Sequence, residues 1–386
     1  MKTTIALHDT VRRLWSGDRK QPLIWLLYPF SVIFRLGVGL RTVLYDRGLL
    51  MPRRLPCPIV SVGNITVGGT GKTPLVALIA RLLHEEGRRP VVLLRGYGGR
   101  SRQPMTLVSD GRQTLARYDE VGDEAVLLAN TLPGVPVLAG ADRVYTGGYA
   151  CRNFPVDVLV LDDGFQHRRL HRDLDIVLVE RDRPFGNGLL LPAGPLREPP
   201  SALRRAGLIV VTSDPNGSKD PAGEGPRWQD GWRLPMAEGT PLLHACHRPR
   251  ELVAAAGGER HTLAELQGKR ICAFCGIGRP ESFRATLTAL GAEVPVFLTF
   301  PDHYRYEEAE VEQIARAARE AAVDRIVTTE KDAVRLGRFP TFRRELLLLR
   351  TELAVFPSVE SLAMLLQECL SRGTERTRNA ERAGDR

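Results

Sequence analysis

The sequence predicts an α/β fold: a mainly parallel sheet with helices on both faces, a second and smaller α/β domain, and an N-terminal membrane-associated helix. Three observations carry this. Short runs rich in Val, Ile and Leu alternate with helical patterns, a glycine-rich turn joins one such run to the helix after it, and a charge-free aromatic stretch sits in a basic N-terminus. At 386 residues, 43% hydrophobic and 26% charged, the chain has room for a sizeable core. Its composition excludes disordered, collagen-like and coiled-coil classes for the bulk of it.

The net charge of +9 is unevenly placed: ten Lys or Arg stand against three Asp between Met1 and Val60. Within that region Leu23 to Phe34 carries no charge. A bilayer-crossing helix needs about 20 apolar residues, so this stretch is expected to embed partly, with Trp25, Tyr28 and Phe30 at headgroup depth and arginines on anionic lipid. Pro29 is expected to break any long buried helix here. Six cysteines follow no secretory signal, which points to free thiols in a reducing compartment, and Cys272 and Cys275 read as packing within an apolar strand.

From Pro58 the strand, helix, strand order begins. Strands are expected at Pro58–Val62, Pro90–Leu94, Val156–Leu161, Leu174–Val179 and Leu208–Val211, with a helix from about Thr73 to Glu86. Asp, Pro, Gly, Ser and Trp then dominate from Thr212 to Thr240, and further strand-like runs resume at Lys269. The implied division is a membrane-associated segment at 1–50, a phosphate-loop domain at 51–215, a linker or excursion at 216–265, a smaller C-terminal α/β domain at 266–370 and a disordered tail at 371–386.

The turn after the first strand reads Ser61-Val-Gly-Asn-Ile-Thr-Val-Gly-Gly-Thr-Gly-Lys-Thr-Pro74, with the strand-to-helix context that a Walker A loop requires. Thr66 replaces the first glycine of that template. Residues Thr66, Val67, Gly68, Gly69, Thr70, Gly71, Lys72 and Thr73 are the expected nucleotide-binding set, since backbone N–H groups and a helix N-terminus favour an anion. Lys72 is expected on the β- and γ-phosphates, and the Thr73 hydroxyl on Mg²⁺. A second apolar run ends in Asp162 and Asp163, whose side chains point to opposite faces of an extended backbone, so one carboxylate is expected to serve the metal and the other a different task. The loop also resembles that of membrane-bound ATPase switches, but Val67 stands where those carry a signature lysine. A nucleic-acid role for the basic arm leaves Leu23 to Phe34 without purpose.

Seven motifs in one order then resemble the tetraacyldisaccharide 4′-kinase family, from about Pro22 to Leu370. They are Gly63–Pro74, Arg95–Gly99, Val121–Glu124, Leu161–His167, Leu191–Glu198, Phe300–Tyr304 and Thr328–Asp332. The resemblance implies transfer of the ATP γ-phosphate, with Mg²⁺, to the 4′-hydroxyl of an acylated disaccharide lipid at the cytoplasmic face of the inner membrane. No nucleic acid and no obligate protein partner are expected. The resemblance also implies Asp123 and His303 as a proton-accepting dyad, Asp163 and Glu198 near the metal, and Asp162, Arg197 and His167 around the reacting phosphoryl. Without the resemblance, Asp123 suits a helix cap and His303 an ordinary surface histidine equally well.

Overall fold

The computed structural model describes Trp15 and residues 22–213 and 233–384. The arm ahead of residue 22, apart from Trp15, and the composition-shifted stretch 214–232 lie outside the described residues. In chain order the principal elements are α1 (Pro22–Asp46), β1 (Ile59–Asn64), α2 (Lys72–Glu85), β2 (Pro90–Leu94), β3 (Thr106–Asp110), α3 (Tyr118–Val121), α4 (Asp123–Thr131), β4 (Pro136–Ala139), α5 (Arg143–Asn153), β5 (Val158–Asp162), β6 (Leu174–Glu180) and β7 (Leu208–Ser213). There follow β8 (Leu242–Ala254), β9 (Arg260–His261), β10 (Arg270–Cys275), α6 (Pro280–Ala289), β11 (Glu293–Thr299), α7 (Glu308–Glu320), β12 (Arg325–Thr329), α8 (Glu330–Arg335), α9 (Pro340–Arg343), β13 (Leu346–Phe356) and α10 (Val359–Gly384).

The strands form one continuous sheet in the order β11-β10-β12-β13-β8-β7-β6-β1-β5-β2-β4-β3. All adjacent pairs on this path are parallel except β3 with β4 and β13 with β8. The central strands are apolar on both faces, as parallel strands covered by helices must be: every residue of β1, β2 and β5 is buried. Helix α2 contributes Leu75, Val76, Ile79, Ala80 and Leu83 to the first-lobe core, a 3.6-residue stripe worth about 1.5–3 kcal/mol per large side chain. A second core, with Phe274, Tyr306, Ile314 and Leu336, fills the other lobe.

The structure differs from the expected division in three places. The expected excursion ends in strand: β8, thirteen residues long, pairs with β7 on one side and β13 on the other and so splices the two lobes into one sheet. Polar residues such as His244, His247, Arg248 and Arg250 conceal this strand from a hydropathy reading. Helix α10 returns to the first lobe, where Leu362, Leu366 and Leu370 join the α2 core. Its backbone remains helical to Gly384 where an unstructured tail was expected, because Glu, Arg and Ala there favour helix.

The N-terminal segment also departs from expectation. Helix α1 runs 25 residues, through Pro29 and Arg35, so the apolar stretch is longer than its charge-free portion. It is long and apolar enough to cross a membrane, although a buried core helix can pass the same test. One narrow stripe holds it to the protein: Ile24 and Ser31 are buried, and the Ser31 hydroxyl donates to the Leu190 carbonyl at 2.9 Å. Around the rest, Trp25, Leu26, Phe30, Ile33, Leu36 and Leu40 are exposed.

Candidate active site

The phosphate loop is shaped before any side chain acts. Gly63 lets β1 approach the turn after β5, since a Cβ there would lie 2.6 Å from Phe165 Cβ and 2.9 Å from Phe165 N. At the other end Gly71 adopts φ 86°, a left-handed value that starts α2 at Lys72. Asn64 braces the interior, donating to the Thr70 hydroxyl at 3.0 Å and accepting from Lys72 Nζ at 3.2 Å. The Val67 N–H is committed to the Pro195 carbonyl at 2.8 Å, and Thr66 pairs with Leu196. Both line the cleft, but Gly68 and Gly69 are the open, exposed part of the loop.

Asp162 and Asp163 separate as their adjacency requires. Asp162, the last residue of β5, accepts from the Thr73 hydroxyl at 3.0 Å, while its Oδ1 is buried without a hydrogen-bond partner among the described residues. Burial, reinforced by Glu124, pushes its carboxyl up to about 7. Asp163 takes a left-handed φ of 53° and turns to the cations: Arg197 Nη1 lies 2.9 and 2.7 Å from its two oxygens and Lys72 Nζ at 3.6 Å. Burial raises the Asp163 carboxyl, but Lys72 and Arg197 outweigh it and hold the group below its usual range. Glu198 is buried against Arg205 at 2.8 Å and Gln166 at 3.2 Å. Thus the carboxylate that meets the Thr73 hydroxyl is Asp162, where the resemblance implied Asp163 and Glu198 near the metal.

His167 ends the Asp-Asp-Gly-Phe-Gln-His stretch. It does not line the cleft; its Nε2 is buried without a partner among the described residues. Burial, with the charge of Arg143 next, lowers its pKa to about 4. Arg143 occupies the space behind the acids, donating to the Gly140 carbonyl at 2.6 Å and the Asp162 carbonyl at 3.2 Å.

Across the cleft, the second lobe delivers a histidine. His303 follows β11 with φ 61°, a strained value of the kind that persists where surrounding contacts enforce it. Its Nδ1 lies 3.0 and 3.1 Å from the two oxygens of Asp123, 180 residues earlier in the chain. Asp123 is the first residue of α4, with Gly122 at the cap position, and its carboxylate accepts from the Glu124 N–H at 3.0 Å. Burial alone raises the Asp123 carboxyl, yet the His303 hydrogen bond and the charges of Arg335 and Lys331 hold it well below the ordinary carboxylate range. Lys331 Nζ stands 3.3 Å from His303 Nε2 and 3.2 Å from Asp302.

One cleft of about 2360 Å³ joins these parts. It runs from Phe34, Val38 and Arg41 on α1, past the phosphate loop, Asp162, Asp163, Arg197 and Glu198, to Asp302 and His303. Arg41 fastens α1 to the Asp-Asp-Gly-Phe-Gln turn by donating to the Gln166 carbonyl at 2.7 Å. Sequence reasoning missed Asn64, Gln166 and Lys331 although each stands inside a quoted motif, and missed Arg143 and Arg335, which stand in none.

Fold and site together define a class, the P-loop enzymes of phosphoryl transfer, in a form where His303 of the second lobe meets Asp123 of the first. Comparison with known proteins narrows it. Residues 23–370 match the family described as tetraacyldisaccharide-1-P 4′-kinase. A tetraacyldisaccharide 4′-kinase of Syntrophus aciditrophicus is 47% identical over 95% of this chain and 100% of its own length, and one of Anaeromyxobacter sp. strain Fw109-5 is 42% identical over 96% and 100%. A crystal structure described as the "apo" form of LpxK from Aquifex aeolicus in complex with ATP superposes with a TM-score of 0.72 at 32% identity, covering 90% of this chain and 99% of that one. The chain belongs to the tetraacyldisaccharide 4′-kinase family.

Proposed function

We propose that this cleft transfers the γ-phosphoryl group of ATP to the 4′-hydroxyl of a tetraacyl glucosamine disaccharide 1-phosphate, giving lipid IV-A in lipid A biosynthesis. Family membership supports the reaction. The observation that carries its mechanism is the shared cleft, in which a Walker-type loop faces His303 from the opposite lobe. The 4′-oxygen attacks the γ-phosphorus, the bond to the β,γ-bridging oxygen breaks, ADP leaves, and the hydroxyl proton passes to Nε2 of His303. Asp123, hydrogen-bonded at Nδ1, fixes the tautomer that leaves Nε2 basic and stabilises the imidazolium that forms. Lys72 and Arg197, paired on Asp163, spread the charge of the transferring phosphoryl.

The donor set also fits Mg²⁺. Thr73 and Asp162 would hold it, the buried Asp162 Oδ1 being a hard oxygen without a hydrogen-bond partner among the described residues, and the ion would neutralise phosphate charge. The exposed apolar face of α1 supports docking at the cytoplasmic face of the inner membrane, with the acyl chains entering beside Phe34 and Val38.

Incubation with γ-labelled ATP, Mg²⁺ and the acylated disaccharide 1-phosphate is expected to move label into the lipid in an acceptor-dependent manner. Label appearing only as inorganic phosphate, at a rate indifferent to acceptor, would identify an ATPase and refute the assignment.

A further inference from the structure

A buried charge relay lies behind the dyad, and the reaction as written does not use it. We infer that Arg335 is a positioning residue for phosphoryl transfer, a guanidinium anchored in the second lobe that fixes Asp123 of the first lobe and through it the His303 imidazole. The inference rests on the dyad reading above and extends it by one residue.

Arg335 closes α8 and is almost wholly buried, at 1% exposure. Its Nε donates to Asp123 Oδ2 at 2.7 Å, and Nη2 contacts the same oxygen. The remaining arm, Nη1, donates to the Gly276 carbonyl at 2.9 Å and to Asp332 Oδ1 at 3.0 Å. Asp332 is itself pinned, accepting from the Tyr306 hydroxyl at 2.8 Å, the Gly276 N–H at 2.9 Å and the Thr329 hydroxyl at 2.6 Å. The guanidinium therefore cannot swing without breaking bonds to three separate segments.

On the other side, Asp123 Oδ1 is shared between the Glu124 N–H and His303 Nδ1, both at 3.0 Å. Arg335 grips Oδ2 on one side while the imidazole Nδ1 lies 3.0 and 3.1 Å from Oδ1 and Oδ2, so the carboxylate is held between guanidinium and imidazole. The charged groups facing Asp123 are Glu124 on its own helix, Asp302 and His303 after β11, and Lys331, Asp332 and Arg335 on α8. Every cation among them belongs to the second lobe. A buried carboxylate without its cation is costly, so docking of the second lobe is what makes an ionised, oriented Asp123 affordable. Buried ion pairs are weak evidence for stability but good devices for fixing geometry, and here the geometry fixed is that of the proton acceptor.

The test compares wild type, His303→Ala, Arg335→Gln, Arg335→Lys and the His303→Ala/Arg335→Gln double variant, with circular dichroism melts to verify folding. Arg335→Gln is expected to lower kcat by about 10–100-fold, as loss of an outer partner does, with KM for ATP within about twofold. Against His303→Ala the same substitution should cost less than about twofold, since the residue acts through the imidazole. Arg335→Lys, which keeps charge but loses the fork, should fall between wild type and Arg335→Gln, and it carries the comparison if Arg335→Gln does not fold. Wild-type kcat in both Arg335 variants, or an equal fold-loss with and without His303, overturns the positioning role while leaving the dyad intact. Wild-type kcat in His303→Ala overturns the dyad reading and this inference with it.

Discussion

The two halves of the site are built by different means. The phosphate loop is local: strand, turn and helix follow one another from Ile59 to Glu85, and the loop's bracing residue, Asn64, is the last residue of the strand that introduces it. The dyad is assembled from afar. Asp123 opens one short helix, His303 sits in a strained turn of the other lobe, and Arg335 reaches back from a third element. The contrast teaches that chemistry held by local geometry writes its spacing into the chain, whereas chemistry held by docking does not.

That contrast can be broken first at the loop. Lys72→Ala removes the loop cation that the proposed mechanism sets on the transferring phosphoryl and is expected to lower transfer by about 10²–10³-fold. Turnover with labelled ATP checks it, and a loss below tenfold would remove Lys72 from the phosphoryl site. Gly63→Ala tests whether the loop depends on close backbone approach. The added methyl meets Phe165, so destabilisation of about 1–3 kcal/mol is expected in denaturant titrations; an unchanged midpoint would mean that β1 and the Asp-Asp-Gly turn are not in contact.

Helix α1 sharpens the comparison at the cleft's other end. Leu26→Glu combined with Ile33→Glu places charge on the exposed face of α1 and leaves the Ile24 and Ser31 stripe untouched. Binding to anionic vesicles in flotation assays should weaken by at least about tenfold. Undiminished flotation would assign lipid contact elsewhere. The smallest effect concerns His167. Its pKa is lowered from 6.5 to about 4 in the fold, so the unfolded chain binds the extra proton in that window and stability falls as pH drops from 6.5 towards 4. The loss, discounted for partial exposure, is on the order of 1–2 kcal/mol, and His167→Gln should flatten that part of the melting profile. A profile identical to wild type would show that His167 titrates normally.

The legible part of the molecule follows the same division. The α/β class, the central strands and the loop from Thr66 to Thr73 were readable because apolar runs and glycine spacing are local signals. The splice through β8 was not, since a strand crossing between lobes carries His and Arg residues that line the cleft. Asp123 and His303 were readable only through family likeness: Gly-Asp-Glu and Pro-Asp-His contain nothing that announces a contact across 180 residues. Which of two adjacent carboxylates meets Thr73 was likewise invisible, because the φ of 53° at Asp163, which turns it to Arg197 and Lys72, is set by tertiary packing.

The most direct measurement is a double-mutant cycle across the cleft, with kcat determined for Asp123→Ala, His303→Ala and the pair. If the two residues act as one proton acceptor, each single substitution lowers kcat by about 10²–10⁴-fold and the double variant is no slower than the slower single. Independent losses that multiply in the double variant, or wild-type turnover in either single, would contradict a site completed by the second lobe.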